Sequence, residues 1–407
     1  MKAYFHIGHH KTGTTSLQAF LSLNAPVLLR HGIHYPWVET QGAAMAAANA
    51  MAGRGFYVKL LRGLLRRRAG GAEAAPAILP INVREAHNAL AFRMLHDRLD
   101  WRMPAYHRDL PHSRQMLIGL GHQIAQLKPR HLVFCSEVMS HFGPSAPAEI
   151  ARLRDAVGTS DITLWCTLRR PDEQAASWHG QMIRFGHAPR PLSAPDGPDL
   201  KGLHFDYRRV VEPWIQAMPG CRQVLRPYDR TMEEGGSVED FVRHSGIGFP
   251  RALLPAPVMN ISLPPAVLAL LREANRSLPA DQARGFARQV AALARDMKLP
   301  SSRQVEMFGA ANREKLFHAF RPVHDWLTRI TGGQPFFRDL DQMLVCKPIP
   351  EAEALRDLLD RLAPHLDGFV EAAQRDFLAG RIAGRDGSGR EGEGRPAPRR
   401  AAGAGGR

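Results

Sequence analysis

The 407-residue sequence is poor in cysteine and in aromatic residues, and it carries fewer acidic than basic side chains. Its four cysteines, Cys135, Cys166, Cys221 and Cys346, stand far apart and form no Cys-x-x-Cys pair. That spacing argues against a zinc ribbon or a disulfide scaffold, and a reducing, cytoplasmic setting is the simplest expectation. No apolar run approaches the ~18 residues of a membrane-spanning helix. A cleavable leader is not expected, because Met1-Lys2 runs directly into Tyr4-Phe5-His6-Ile7, which has the aromatic and β-branched content of a buried strand. Hydrophobic residues make up 44% of the chain and charged residues 23%, proportions that exclude a wholly disordered or collagen-like protein.

The shortage of acids leaves a net charge of +15, from 54 Lys and Arg against 39 Asp and Glu. Such a surplus points to an anionic partner: nucleic acid, a membrane face, or phosphorylated or acidic small molecules. Its distribution speaks against nucleic acid. Part of it sits in residues 381–407, a tail rich in Gly, Ala, Pro and Arg with seven arginines against three acids. A segment of that composition builds no core and is expected to be disordered. A second basic stretch, from Gly55 to Arg68, mixes Phe56, Val58, Leu60, Leu61, Leu64 and Leu65 with Lys59, Arg62, Arg66, Arg67 and Arg68. It reads either as an ordinary surface helix or as a basic amphipathic helix that touches an anionic polymer or the inner membrane face.

Strands and helices alternate along much of the chain. After the opening strand, Gly8–Gly13 forms a loop, Thr14-Thr15-Ser16 opens a helix, and Leu17, Phe20, Leu21 and Leu28 give it an apolar face. Gly32 ends it, and Ile33-His34-Tyr35 before Pro36 reads as a short second strand. Ala43–Ala52 is expected to be helical. Further strands are expected over His131–Cys135, Ile162–Leu168 and Gln223–Arg226, and helices over Pro147–Val157, Asp172–Phe185, around Trp214 and over Val238–His244. Such alternation predicts an α/β fold with a parallel sheet covered by helices on both faces. Beyond Ser262 only helices are expected: Pro265–Arg276, Ala280–Asp296 and Glu351–Leu378. The expected organisation is an α/β core over residues 1–260 with a helical insertion at about 40–120, a helical cap over 261–380 packed on the core, and the tail.

The chemistry concentrates in Gly8-His9-His10-Lys11-Thr12-Gly13-Thr14-Thr15. A loop that joins a strand to a helix start presents backbone N–H groups and the positive end of the helix dipole to a phosphate. It departs from the nucleotide-binding G-x-x-x-x-G-K-[ST] pattern, because Thr14 stands where the lysine belongs and Lys11 precedes the second glycine. That displacement argues against an ATP or GTP γ-phosphate site.

At these residues the sequence resembles the sulfotransferases that use 3′-phosphoadenosine 5′-phosphosulfate, in particular their bacterial branch. Lys11-Thr12-Gly13-Thr14-Thr15-Ser16 matches the family's 5′-phosphosulfate loop, Lys-x-Gly-Thr-Thr/Ser after the first strand. The resemblance implies a P-loop-type fold, with Lys11 beside the oxygen that bridges phosphate and sulfate, and with the amides and hydroxyls of residues 12–16 on the 5′-phosphate. A lysine ammonium there would stabilise the departing phosphate oxygen with no metal required. The family's 3′-phosphate site is an Arg at a later strand end with a Ser eight residues on, and Arg169 followed by Ser177 fits it. The neighbouring Arg170 is a candidate to share that role. Val224–Asp229 with Glu239-Asp240-Phe241, Asn260-Ile261-Ser262-Leu263 and Asn312–Phe317 extend the likeness over most of residues 1–340. The Arg-Lys-Gly-x-x-Gly segment of the cytosolic animal enzymes is absent, so the rest of the 3′-phosphate pocket is unassigned.

Transfer to an acceptor hydroxyl needs a base. The family uses a carboxylate or a histidine. Glu137, just past the strand His131–Cys135, is the first candidate and His34 the second; Glu137 equally suits a helix-start carboxylate. His9 and His10 would shape the loop or meet sulfate, while His179, Gln181 and Arg184 would either face the acceptor or form an exposed helical face; the expected acceptor is a carbohydrate or glycolipid. Two other readings compete: a P-loop nucleotide kinase, and a non-catalytic module bound to a membrane or polymer.

Overall fold

The apolar runs of the sequence pair side by side into one sheet. The computed structural model describes residues 1–38, 79–107, 109–256 and 262–384. The expected helix 43–52, the basic segment 55–68 and the tail beyond 384 lie outside the described residues. Strands β1 (Lys2–His6), β2 (Ile33–His34), β3 (His131–Cys135), β4 (Ile162–Leu168) and β5 (Arg222–Pro227) lie in the order β2-β3-β1-β4-β5, with every pairing parallel. All seven residues of β4 are buried, as a parallel strand covered on both faces requires. Phe5 of β1 lies opposite Phe134 of β3, and the two rings stack with centroids 5.0 Å apart.

Helices flank this sheet: α1 (Thr14–Arg30), α2 (Ala86–Leu99), α3 (Ser113–Leu127), α4 (Pro147–Val157), α5 (Pro171–Arg184) and α6 (Tyr207–Ala217). Leu17, Phe20, Leu21 and Leu28 of α1 are buried, and Trp214 of α6 packs on Phe5 at 5.8 Å. The fold is therefore α/β, a five-stranded parallel sheet flanked by helices. Two short helices, α7 (Tyr228–Glu233) and α8 (Ser237–His244), follow β5.

The chain divides into two compact units, and neither is continuous in sequence. The sheet-bearing unit comprises Met1–His179, Arg190–Ser262 and Phe308–Cys346. Its last segment holds a 21-residue helix, Ala310–Ile330, that the sequence reading did not find. Asn312 Nδ2 donates to the carbonyls of Leu192 and Ala194, each at 2.8 Å, and Phe320 meets the ring of Tyr207 at 5.4 Å. Those contacts place residues 308–346, which the sequence reading put in a helical cap over 261–380, in the sheet-bearing unit.

The second unit comprises Gly180–Pro189, Leu263–Met307 and the chain from Lys347 onward. It contains α9 (Pro265–Ser277), α10 (Ala280–Leu293), and, beyond the long helix, α12 (Glu351–Leu362) and α13 (Ala372–Gly384), counting Ala310–Ile330 as α11. It is not purely helical: β6 (Val305–Glu306) and β7 (Ile349–Pro350) pair in parallel. The single helix expected over 351–378 is broken by a 3₁₀ segment, Ala363–Gly368, because Pro364 removes an amide and clashes with the preceding turn. Arg272, buried on α9, reaches Glu351 at 3.2 Å. Among the described residues no helix is long and apolar enough to cross a membrane.

The end of β5 is secured by charge. Arg226 Nε donates to Asp240 Oδ2 at 3.2 Å and a second guanidinium nitrogen binds Oδ1, while Asp240 itself is buried on α8. Arg226→Gln leaves that buried carboxylate without its cation and should cost about 3 kcal/mol in urea unfolding at pH 7. A cost below about 1 kcal/mol would make the pair a solvent-screened contact.

Candidate functional site

Strand β1 occupies the middle of the sheet, between β3 and β4, so the loop that follows it emerges where the chain's crossovers diverge. In open α/β sheets that crevice beyond the strands' C-terminal ends gathers ligands. The loop is tightly built. A Cβ on Gly8 would lie 2.4 Å from Thr14 Oγ1, and His9 N donates to the Thr167 carbonyl at 3.3 Å, tying the loop to the end of β4. Thr12 Oγ1 donates to the His9 carbonyl at 2.6 Å. Lys11 has φ +66° and Gly13 φ +88°, both left-handed. Ser237 Oγ donates to the Gly13 carbonyl at 2.8 Å and would stand 2.6 Å from a Cβ on Gly13, so only glycine fits there.

Helix α1 then starts with no side-chain cap and no acidic residue in its first turn. Ser16 N closes the turn on the Gly13 carbonyl at 3.1 Å. Thr14 is buried, and its Oγ1 has no hydrogen-bond partner. Orphan amides, a positive dipole end and an unsatisfied hydroxyl together favour an anion. Lys11, Thr15 and Ser16 are half-buried at the same turn, so the structure gathers all six residues of the Lys11–Ser16 motif into one loop and helix start.

Arg169 sits directly after β4, the strand that pairs with β1. Its Nε donates to Glu173 Oε2 at 2.9 Å, and its guanidinium lies over the Tyr228 ring, 4.9 Å from the centroid. Ser177 is half-buried inside α5, the helix this junction opens. Arg170 does not share the role proposed for its neighbour. It is buried, grips both oxygens of Asp172 at 2.7 and 3.1 Å, and also binds Asp339. Asp172 lies within 3.7 Å of Arg313 as well, which completes a buried charge network.

Glu137 follows β3 by two residues. Gln18 of α1 donates to its Oε2 at 2.8 Å, and Asn88 of α2 donates to its Oε1 at 3.1 Å. The same Asn88 nitrogen reaches Glu85 Oε2 at 3.2 Å, so one amide bridges two carboxylates. Ser136 Oγ donates to Asn88 Oδ1 at 2.7 Å and fixes which way the amide points. Arg84 spends its charge on Glu85, at 2.7 Å. Burial, and then the charge of Glu85, raise the Glu137 carboxyl from its ordinary value of 4.5 to about 7. A group poised there can accept a proton at neutral pH.

His34 is placed differently. It is fully buried on the edge strand β2, bonded through Nε2 to Gln123 Oε1 at 3.1 Å, and burial lowers its pKa to about 4. His9 is also buried and ties the loop to the Leu203 carbonyl at 3.0 Å, a shaping role. His10 Nε2 meets His141 Nε2 at 2.9 Å. On α5, His179 is buried, Gln181 half-buried and Arg184 exposed. Gln18, Glu85, Asn88 and His141 escaped the sequence reading. Gln18, one helical turn past Thr14, could have been placed beside the loop from helix geometry; the α2 residues lie in a region without a sequence pattern.

The raised Glu137 pKa has a thermodynamic consequence. Between about pH 4.5 and 7 the folded chain holds a proton there that the unfolded chain has released, so this group's contribution to stability falls as pH rises. Glu137→Gln should therefore gain Tm relative to the unaltered protein as pH goes from 5 to 8, by several degrees; an unchanged difference would mean that Glu137 titrates normally. Comparison of the chain with protein-family models, with curated proteins and with solved structures found no match to any of the three.

Proposed function

We propose that the protein is a sulfotransferase that moves the sulfuryl group of 3′-phosphoadenosine 5′-phosphosulfate to an acceptor hydroxyl, on a P-loop-type form of the parallel α/β fold. The observation that carries this reading is the turn from β1 into α1: a lysine and a glycine in left-handed conformation, an uncapped helix start, and a buried Thr14 hydroxyl without a partner. The donor's 5′-phosphate would rest on the amides and hydroxyls of Gly13 to Ser16. Lys11 would face the oxygen between phosphorus and sulfur. Arg169 and Ser177 would take the 3′-phosphate. The partly exposed Arg169–Glu173 pair is worth at most about 1 kcal/mol, so a phosphate dianion can displace the carboxylate.

In the transfer step the acceptor oxygen bonds to sulfur while the bridging S–O bond breaks. The electron pair leaves on the phosphate oxygen, where the Lys11 ammonium offsets the growing charge. Glu137 accepts the proton released by the hydroxyl, a role that its pKa of about 7 and its two amide donors suit.

Lys11→Ala should lower turnover by at least about 100-fold with urea stability unchanged. Arg169→Ala should weaken calorimetric binding of adenosine 3′,5′-bisphosphate by about 1.5–3 kcal/mol. In a thermal-shift panel the bisphosphate should raise Tm and ATP·Mg²⁺ should not. The opposite pattern would favour the nucleotide-kinase reading, and polyanion or liposome binding with neither shift would favour the non-catalytic module.

A further inference from the structure

Beside the Lys11 loop, five partly exposed rings form a continuous strip. Trp101 stands edge-on to His141 at 5.0 Å, and His141 edge-on to His10 at 5.1 Å. His10 meets Trp178 at 5.1 Å and His204 at 5.2 Å, and Trp178 lies 4.0 Å from His204 with the planes inclined by 34°. His10 adjoins Lys11, His141 ends the 3₁₀ turn that begins after Glu137, and Trp178 follows Ser177 on α5. The strip is thus next in sequence to Lys11 and to Ser177, and four residues from Glu137.

The interior rings of the same unit, Phe5, Phe134 and Trp214, are fully buried, whereas all five strip rings are half-buried. Burial favours the neutral imidazoles: His141 falls to about 4, and His10 and His204 are lowered too, with neighbouring histidines adding to the effect. Each neutral ring keeps one N–H donor and one acceptor nitrogen. The His10 and His141 Nε2 atoms share one proton at 2.9 Å. His204 Nδ1 lies 3.3 Å from Gln174 Nε2, and its own Nε2 is buried with no partner. Among the described residues no three His, Cys, Asp or Glu side chains are gathered to hold a metal ion.

We propose that this strip is the acceptor subsite and that it takes a neutral sugar ring. The inference rests on the sulfotransferase reading for its role but not for its chemistry. Indole and imidazole faces pack against the C–H face of a pyranose, and uncharged ring nitrogens exchange hydrogen bonds with its several hydroxyls. An anionic acceptor would find no cation in the strip itself. A phenol would use a ring face but would leave the His204 Nε2 without a partner, which costs affinity.

The test is tryptophan fluorescence titration of the full chain with maltotriose, cellotriose, chitotriose and, separately, 4-nitrophenol, alongside calorimetry with adenosine 3′,5′-bisphosphate. At least one trisaccharide should bind saturably, and Trp178→Ala should weaken it tenfold or more while bisphosphate affinity is unchanged; Trp178→Phe should restore most of the loss. No saccharide binding, binding indifferent to Trp178→Ala, or Trp178-dependent binding of the phenol alone would overturn the proposal. Saccharide binding without any bisphosphate binding would keep the sugar subsite and remove the sulfotransferase reading instead.

Discussion

The arrangement depends on one backbone constraint, the turn that carries the chain from β1 into α1. Gly8 has no room for a side chain against Thr14 and His6, and Gly13 none against Ser237, so both ends of the turn are fixed by close approach. Between them Lys11 adopts a left-handed conformation that costs an L-residue about 1–2 kcal/mol. The backbone tie from His9 to Thr167 and the Ser237 bond to Gly13 hold that strain in place. The proposed anion site would use this strained turn and uncapped helix start together.

Electrostatics at the same edge of the sheet is governed by burial, which disfavours the charged form of acid and imidazole alike. Glu137 is pushed up by burial and by Glu85, and His9, His10, His141 and His204 are pushed down by burial. The two shifts oppose each other in their effect on stability. The imidazoles favour the folded chain more as pH rises through 6.5, while Glu137 favours it less. Buried charge elsewhere in the sheet-bearing unit is paired in the Arg170–Asp172–Arg313 network. Lys11 and Arg169 are the cations that the proposal sets against an anion at the strand ends.

What the sequence made legible was whatever depends on local chemistry. His131–Cys135 and Ile162–Leu168 appear as strands at the expected residues because β-branched and aromatic runs fill a two-sided sheet, and α4 appears at Pro147–Val157 because Pro147 and Gly158 mark its ends. The loop from Gly8 to Gly13 was readable because its glycines answer to steric need. Contacts made across the fold were not. Nothing near Arg169-Arg170 says that Asp339 binds the second arginine, and nothing in residues 79–107 announces that Asn88 would bridge Glu85 to Glu137. Two-residue strands such as β6 and β7 have no periodicity to read. His34 was correctly placed on a short strand, but its burial against Gln123 comes from α3, a tertiary contact.

A crystal structure of the protein with adenosine 3′,5′-bisphosphate measures the central claim most directly. The account predicts the 5′-phosphate on the amides of Gly13 to Thr15 and the Thr14 hydroxyl, the Lys11 ammonium within hydrogen-bond distance of a 5′-phosphate oxygen, and the 3′-phosphate on Arg169 in place of Glu173. A nucleotide seated elsewhere, or Lys11 turned away from its 5′-phosphate, would contradict it.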